Sequence, residues 1–249
     1  ASIGNTPIVT AAEAGLPETL RYTDWNNFAP RIGFAWRPIG NRTVIRGGYG
    51  IYTATILGSV FYTITGIHVS DVRTFTNTLT NGQPSVTLQR PFGGSATAPA
   101  LGSADFRRGT QFDGADPYAQ QWNFTIEQDL GWNTGVRFTY TGNRTIKMFS
   151  SPDLNQVRAN TVGYQAARAG RPYPNWNIIY VRDPNTNSWY NSFTAEVHKR
   201  FSHHLTFQTS WVWAKHQTNA NGSNGTGFAT ENGTVPTDRY NLALDYGNV

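Results

Sequence analysis

Several residue groups have the side chains that chemistry needs. Arg46-Gly47-Gly48-Tyr49-Gly50 is as glycine-rich as a phosphate-cradling loop. It lacks that loop's spacing and its trailing Lys-Ser/Thr, so small residues easing a curved strand account for it better. His198, His203 and His204 cluster as metal ligands would. Their spacing is not that of a zinc site, and a solvated turn is the plainer reading. Asp113-Gly114-Ala115-Asp116 offers two carboxylates to Ca²⁺, without the twelve-residue ligand pattern. No serine sits in a G-x-S-x-G setting. No pair of carboxylates has a separation fixed by sequence, as glycoside chemistry requires. The absence of cysteine removes thiolate nucleophiles, thiolate metal sites and disulfides. The expectation is a protein that is not an enzyme and carries no metal or cofactor.

Aromatic side chains outside the regular pattern are the better candidates. Tyr62, Phe92, Phe112, Tyr164, Tyr173 and Trp176 stand among Asn and Arg in long irregular stretches. Rings beside amides and guanidinium groups could grip a glycan or a peptide. Equally, they could pack each loop on itself as an Ω-like lid. Both readings stand at this point.

The elements that must hold these loops follow from composition and pattern. Of 249 residues, 38% are hydrophobic and 14% charged. Soluble domains average ~45–50% and ~25%. Gly (25), Thr (31), Asn (22) and 14% aromatic residues fill the gap. That mix disfavours helices and suits strands and turns. The net charge of +5 comes from 17 Arg and 3 Lys scattered along the chain. Without a basic run there is no phosphate-tracking patch, and nucleic acid is not an expected partner. No stretch reaches the ~20 apolar residues of a transmembrane helix, and Ala1 to Thr10 does not read as a signal peptide.

Period-two alternation appears three times, each time as two strands around a short polar turn. Phe28, Pro30, Ile32, Phe34 and Trp36 alternate with Ala29, Arg31, Gly33, Ala35 and Arg37; after a turn at Pro38 to Asn41, Thr43 to Tyr52 continues with Ile45, Gly47, Tyr49 and Ile51 opposite Val44, Arg46, Gly48 and Gly50. Trp122, Phe124 and Ile126 alternate with Gln121, Asn123, Thr125 and Glu127; Asp129 to Asn133 turns the chain into Val136, Phe138 and Tyr140 against Arg137, Thr139 and Thr141. Phe193, Ala195 and Val197 alternate with Ser192, Thr194 and Glu196, and a turn at Phe201 to His204 leads to Leu205, Phe207, Trp211 and Trp213. The pattern predicts six antiparallel strands, with Ile56 to Ile67 and Val72 to Leu79 as further candidates.

Between the pairs the connections are long: Thr53 to Tyr118, Ile146 to Asn187 and His216 to Asn241. Such loops are uncommon in compact soluble domains. Short turns on one side and long loops on the other are what outer-membrane barrels show. In a barrel the apolar face meets lipid and Arg31, Arg46, Gln121, Asn123, Glu127 and Arg137 face the lumen. In a soluble sandwich the apolar face packs inward instead. Trp36, Tyr49, Trp122, Tyr140, Trp189, Tyr190, Trp211 and Trp213 fall near the expected strand ends, as interfacial girdles do.

The stretches Asn26 to Pro38, Thr43 to Tyr52, Tyr118 to Glu127, Arg171 to Asn175, Tyr190 to Phe193 and Lys199 to Ser202 resemble, in order, barrel motifs of TonB-dependent receptor-like outer-membrane proteins of the Oar-like group. Asn241 to Gly247 resembles the approach to a seventh strand. The resemblance implies an all-β, antiparallel transmembrane barrel segment of about six to eight strands, with short periplasmic turns and long extracellular loops. It implies that residues 1–249 are a partial barrel domain in the bacterial outer membrane, without plug or C-terminal strands. It also implies import of a nutrient, such as a glycan, peptide or siderophore-like ligand, through a plugged barrel. Its partners would be outer-membrane lipid and a TonB complex engaged by other parts of the parent chain. The alternative is a soluble all-β glycan-binding module with aromatic-rich loops.

Overall fold

The computed structural model describes residues 2–3, 6–7, 9–54, 77–89, 106–163, 168–202, 204–220 and 235–249. Within them lie β1 (Ser2–Ile3), β2 (Thr6–Pro7), β3 (Arg31–Trp36), β4 (Thr43–Thr53), β5 (Leu79–Thr80), β6 (Gln83–Pro84), β7 (Phe106–Thr110), β8 (Tyr118–Gly131), β9 (Thr134–Ser150), β10 (Ile179–Ser202), β11 (Leu205–Thr218) and β12 (Gly247–Asn248). One large sheet runs in the order β12-β11-β10-β9-β8-β4-β3, and β7 adds to β10 in parallel. The six alternating stretches are the strands β3, β4, β8, β9, β10 and β11 of this sheet. Asn241 to Gly247 does lead into a seventh, β12, which pairs with Gln217 and Thr218 of β11.

Turn chemistry fixes the register. Trp132 and Asn133 both have positive φ, +50° and +57°, between the paired residues Gly131 and Thr134. This two-residue geometry matches the right-handed twist of the flanking strands. A register shift between Asp129 and Gly131 absorbs the preceding residue. The third pair closes with Ser202 opposite Leu205.

The register sorts the side chains into two faces. Arg46, Thr125, Thr139 and Thr194 form one cross-strand row; Gly48, Asn123, Thr141 and Ser192 form the next. On the opposite face the rows read Trp36, Ile45, Ile126, Phe138, Ala195, Trp211, then Phe34, Gly47, Phe124, Tyr140, Phe193, Trp213. This apolar face is open: Phe34, Trp36, Trp211 and Trp213 are 55–69% exposed. A soluble sandwich would bury that face under a second sheet. From Gln120 to Gln128 of β8 the apolar rows span about 26 Å of strand, or about 20 Å of height at a ~40° tilt. Outer-membrane barrels carry an apolar band of about 25 Å.

The structure corrects several expectations. The middle connection is shorter than Ile146 to Asn187, because β9 continues to Ser150 and β10 begins at Ile179. At 24 residues β10 far exceeds the ~9–11 needed to cross a bilayer, so its first part stands beyond the membrane. Alternation fails there because the strands bulge: the register shifts between Asp183, Thr186 and Ser188, around Pro184, which cannot donate to the ladder. Lys147, with φ +63°, lies in the same irregular stretch of β9. β7 was not foreseen. Leu79 opens the β5–β6 hairpin around Asn81 and Gly82, both at positive φ, an Asn-Gly signal the alternation did not reveal. The rest of Val72 to Leu79 beyond residues 77–79, and Ile56 to Ile67, lie outside the described residues. Tyr190 sits in the polar row with Asn143 and His216, not in a girdle, and Tyr140 and Trp213 lie mid-band.

Candidate functional site

The polar face carries a continuous ladder of charge across four strands, extended to a fifth by an amide. Arg46 on β4 reaches Glu127 on β8 (3.1 Å), and Glu127 also accepts from Arg137 on β9 (3.0 Å). Arg137 extends to Glu196 on β10 (3.4 Å), which accepts from Gln208 on β11 (2.7 Å). Strict alternation places one charge per strand in the same pair of rows, so neighbours meet with opposite sign. The guanidinium groups stay about half exposed, so each pair is worth little alone, ~0.2–1 kcal/mol. Together they hold the face polar and wetted.

Towards the long-loop end the same face carries mostly uncharged hydrogen-bonding groups, with Arg31 among them. Gln121 and Asn123 are exposed there. Arg31 lies over the Tyr52 ring at 4.5 Å. Ser188 Oγ and His216 Nε2 are 2.7 Å apart, and Tyr190 meets His216 edge-on. Among the described residues no carboxylate hydrogen-bonds that imidazole, so the Ser–His contact lacks the third group of a hydrolytic triad. The six residues Arg31, Arg46, Gln121, Asn123, Glu127 and Arg137 thus all share one face.

The loops are built by polar groups that alternation could not reveal. Asn155 is 2% exposed. Its amide donates to the carbonyls of Tyr173, Trp176 and Asn177 at 2.8–3.1 Å, and its Oδ1 accepts from Tyr173 N–H. The Arg171-Pro172-Tyr173-Pro174-Asn175 stretch is therefore a turn wrapped round one buried amide. Gln156 then ties in the last segment: its side chain donates to Thr237 and accepts from Arg239 N–H, and its carbonyl accepts from Tyr240 Oη. Arg158 lies over the Tyr240 ring at 4.1 Å.

A second assembly joins the chain before β3 to the loop before β8. Asp116, buried, pairs with Arg21 at 2.8 Å and accepts from Asn27 at 2.7 Å. Arg21 also donates to the Gly114 carbonyl. The Asp116 N–H donates to Asp24 (3.0 Å), and that bond holds the Asp24 carboxyl below its ordinary value. The Asp113 to Asp116 stretch is thus a clamp, and its second carboxylate is already engaged by protein donors rather than held open for Ca²⁺.

Of the loop aromatics, Phe112 and Tyr173 are exposed and Trp176 half-buried. Phe112 belongs to the clamp, where its carbonyl accepts from Tyr22 N–H. Tyr173 and Trp176 belong to the Asn155 turn. Tyr62, Phe92 and Tyr164 lie outside the described residues. Among the described residues no three His, Asp or Glu side chains gather as metal ligands. His198 lies across Gly135, and His204 meets Phe201 edge-on. A cavity of about 510 Å³ opens at the short-turn end, lined in part by Arg42, Glu127, Trp132, Arg137, His198 and Arg200.

An antiparallel sheet with an open apolar face, short turns at one end and structured loops at the other defines a wall of a membrane β-barrel. The chain matches the outer membrane beta barrel domain family over residues 2–249 and belongs to that family, which places it in the outer membrane. A solved structure similar to it is the outer membrane transporter YddB from Escherichia coli, at 14% identity and a TM-score of 0.47, covering 83% of this chain and 21% of that one. The chain thus spans about a fifth of that protein's length. No curated protein matches the sequence.

Proposed function

We infer that this chain is part of the wall of an outer-membrane transporter of the TonB-dependent, Oar-like kind, rather than an enzyme. The polar face carrying Arg31, Arg46, Gln121, Asn123, Glu127 and Arg137 lines the lumen. The supporting observation is the charge ladder from Arg46 to Gln208 on the face opposite the exposed apolar band. Guanidinium groups that stay about half exposed, paired along a polar face, suit a water-filled passage. The loops around Asn155 and Asp116 form a structured mouth, with Phe112, Tyr173 and Trp176 available to a glycan, peptide or siderophore-like nutrient. Energy comes from a TonB complex engaging other parts of the parent chain. The soluble glycan-binding reading is disfavoured by the open apolar face.

The test is uptake by cells carrying or lacking the full-length gene, with labelled oligosaccharides, peptides and ferric chelates, with and without a protonophore. Gene-dependent, protonophore-sensitive uptake of one class supports the reading. Uptake indifferent to the protonophore removes the TonB coupling, and binding without uptake removes transport.

A further inference from the structure

The apolar face changes character at its long-loop edge, where two cations have no ion-pair partner among the described residues. Lys215 on β11 is paired with Asn191, in the row of Trp122 and Tyr49 that ends the apolar band. Arg144 on β9 lies one row further out, opposite Gln120 and Trp189. Its guanidinium covers the Trp189 indole at 4.1 Å, and its Nε is buried with no acceptor. Lys215 is exposed. Within the regular part of these paired strands the acidic residues, Glu127, Asp129 and Glu196, point to the opposite face, and Asp183 of β10 lies beyond two register shifts, opposite Ser150. At the other edge of the band Lys199 donates to the Trp132 carbonyl (2.8 Å). At the long-loop end, beyond Arg144, Lys147 lies over Tyr118 at 5.7 Å and has Asp24 within electrostatic range. Arg144 and Lys215 are thus the pair whose charge, among the described residues, no carboxylate on this face answers.

Their spacing suits a single anion. Two strands and one row separate their Cα atoms, about 12 Å, and long side chains from both sides can converge above Trp189 and Asn191. Stems against the apolar band with charged heads at its rim are the snorkelling arrangement. Trp122, Trp189 and Tyr49 supply the amphipathic rings of an interfacial belt.

We propose that Arg144 and Lys215, framed by Trp189, form a binding site on the outer wall for the phosphate of an outer-leaflet lipid headgroup. The phosphate oxygens accept from the terminal N–H groups of Arg144 and from the Lys215 ammonium, while the acyl chains lie on the Phe193–Trp213 rows. Arg serves a phosphate through paired N–H donors, which Lys supplements as a point charge. This rests on the reading above only in that the apolar face meets lipid.

The test is native mass spectrometry of the full-length protein released from phosphatidylcholine vesicles containing a phosphate-monoester lipid, phosphatidic acid. Wild type should retain phosphatidic acid over phosphatidylcholine. Arg144→Gln and Lys215→Gln should each weaken that preference about fivefold, and the double variant about 25-fold, as for one surface cation apiece. Lys199→Gln should change nothing. Wild type with diacylglycerol in place of phosphatidic acid needs no variant to fold and should show no preference. A preference unchanged in the double variant, wild-type retention of diacylglycerol equal to phosphatidic acid, or equal occupancy by free inorganic phosphate in detergent overturns the proposal. Release with no lipid of either kind would instead overturn the lipid-facing assignment.

Discussion

Phe124 and Asn123 are consecutive residues on β8 that point to opposite faces, and arginine at each should have opposite consequences. Phe124 lies in the middle of the apolar band, between Gly47 on β4 and Tyr140 on β9, and is 43% exposed. A guanidinium there enters hydrocarbon, and Phe124→Arg should cost about 2–4 kcal/mol, or roughly 30- to 1,000-fold in the folding equilibrium. Asn123 sits between Gly48 and Thr141 on the polar face, where Arg46 and Arg137 are already hydrated. Asn123→Arg should stay within about 0.5 kcal/mol, as exposed substitutions do. Depth gives a second axis. Gln120→Arg and Gln128→Arg share Phe124's face but lie at the two rims of the band, and should cost only about 0–1 kcal/mol. The assay is reversible urea unfolding of the full-length protein in vesicles, followed by tryptophan fluorescence. Equal losses at positions 123 and 124, or a flat profile from 120 to 128, would refute the face assignment. A sandwich core would show its loss at Phe124 in plain buffer without lipid.

Glu127→Gln removes the carboxylate shared by Arg46 and Arg137, and the exposure of both partners limits the cost to about 0.5–1 kcal/mol, shrinking with added salt; urea unfolding at low and high salt reads it. Asn155→Ala strips the buried amide from three carbonyls and should destabilise the loop locally by about 2–3 kcal/mol. Hydrogen exchange should then speed up at residues 171–178 while β8 and β9 keep their protection. Asp183, in the part of β10 beyond the membrane, has its carboxyl raised above 3.8 by burial, against a lowering hydrogen bond from Asn185. A raised acid favours the folded state while protonated, so its contribution is lost as pH rises from 3.8 through the folded value. Asp183→Asn should abolish that pH dependence and increase protection of the β9–β10 extension at neutral pH, measured by exchange across the acid range. Gly142 lies beneath the Trp122 indole, where a Cβ would collide with the ring. Gly142→Val should expel the indole and red-shift or quench its emission, whereas Gly170→Ala, with open space around it, should leave the spectrum unchanged.

The two faces were legible in the sequence because strand side chains alternate whatever the strand pairs with. Phe34, Phe124, Phe138 and Phe193 were separable from Arg31, Arg46, Asn123 and Glu127 before any partner was known. The short turns were legible for a similar reason: a two-residue reversal is local. Register was not, and it decided that Arg46, Glu127, Arg137 and Glu196 form a chain of contacts rather than scattered charges. It also put Tyr190 with the polar rows, and set Arg144 and Lys215 around Trp189. Asn155, Asp116 and Gln156 gave no periodic sign, because buried amides and carboxylates in loops are chosen by carbonyls and N–H groups 18 to 95 residues away. The bulges in β9 and β10 hid two stretches of strand by breaking the period that reveals strands. Chain pattern alone therefore determined which side chains share a face and where the chain reverses, since both are short-range. The tertiary structure decided which charges meet, which loops are built and which face stays open, because pairing between distant segments sets all three.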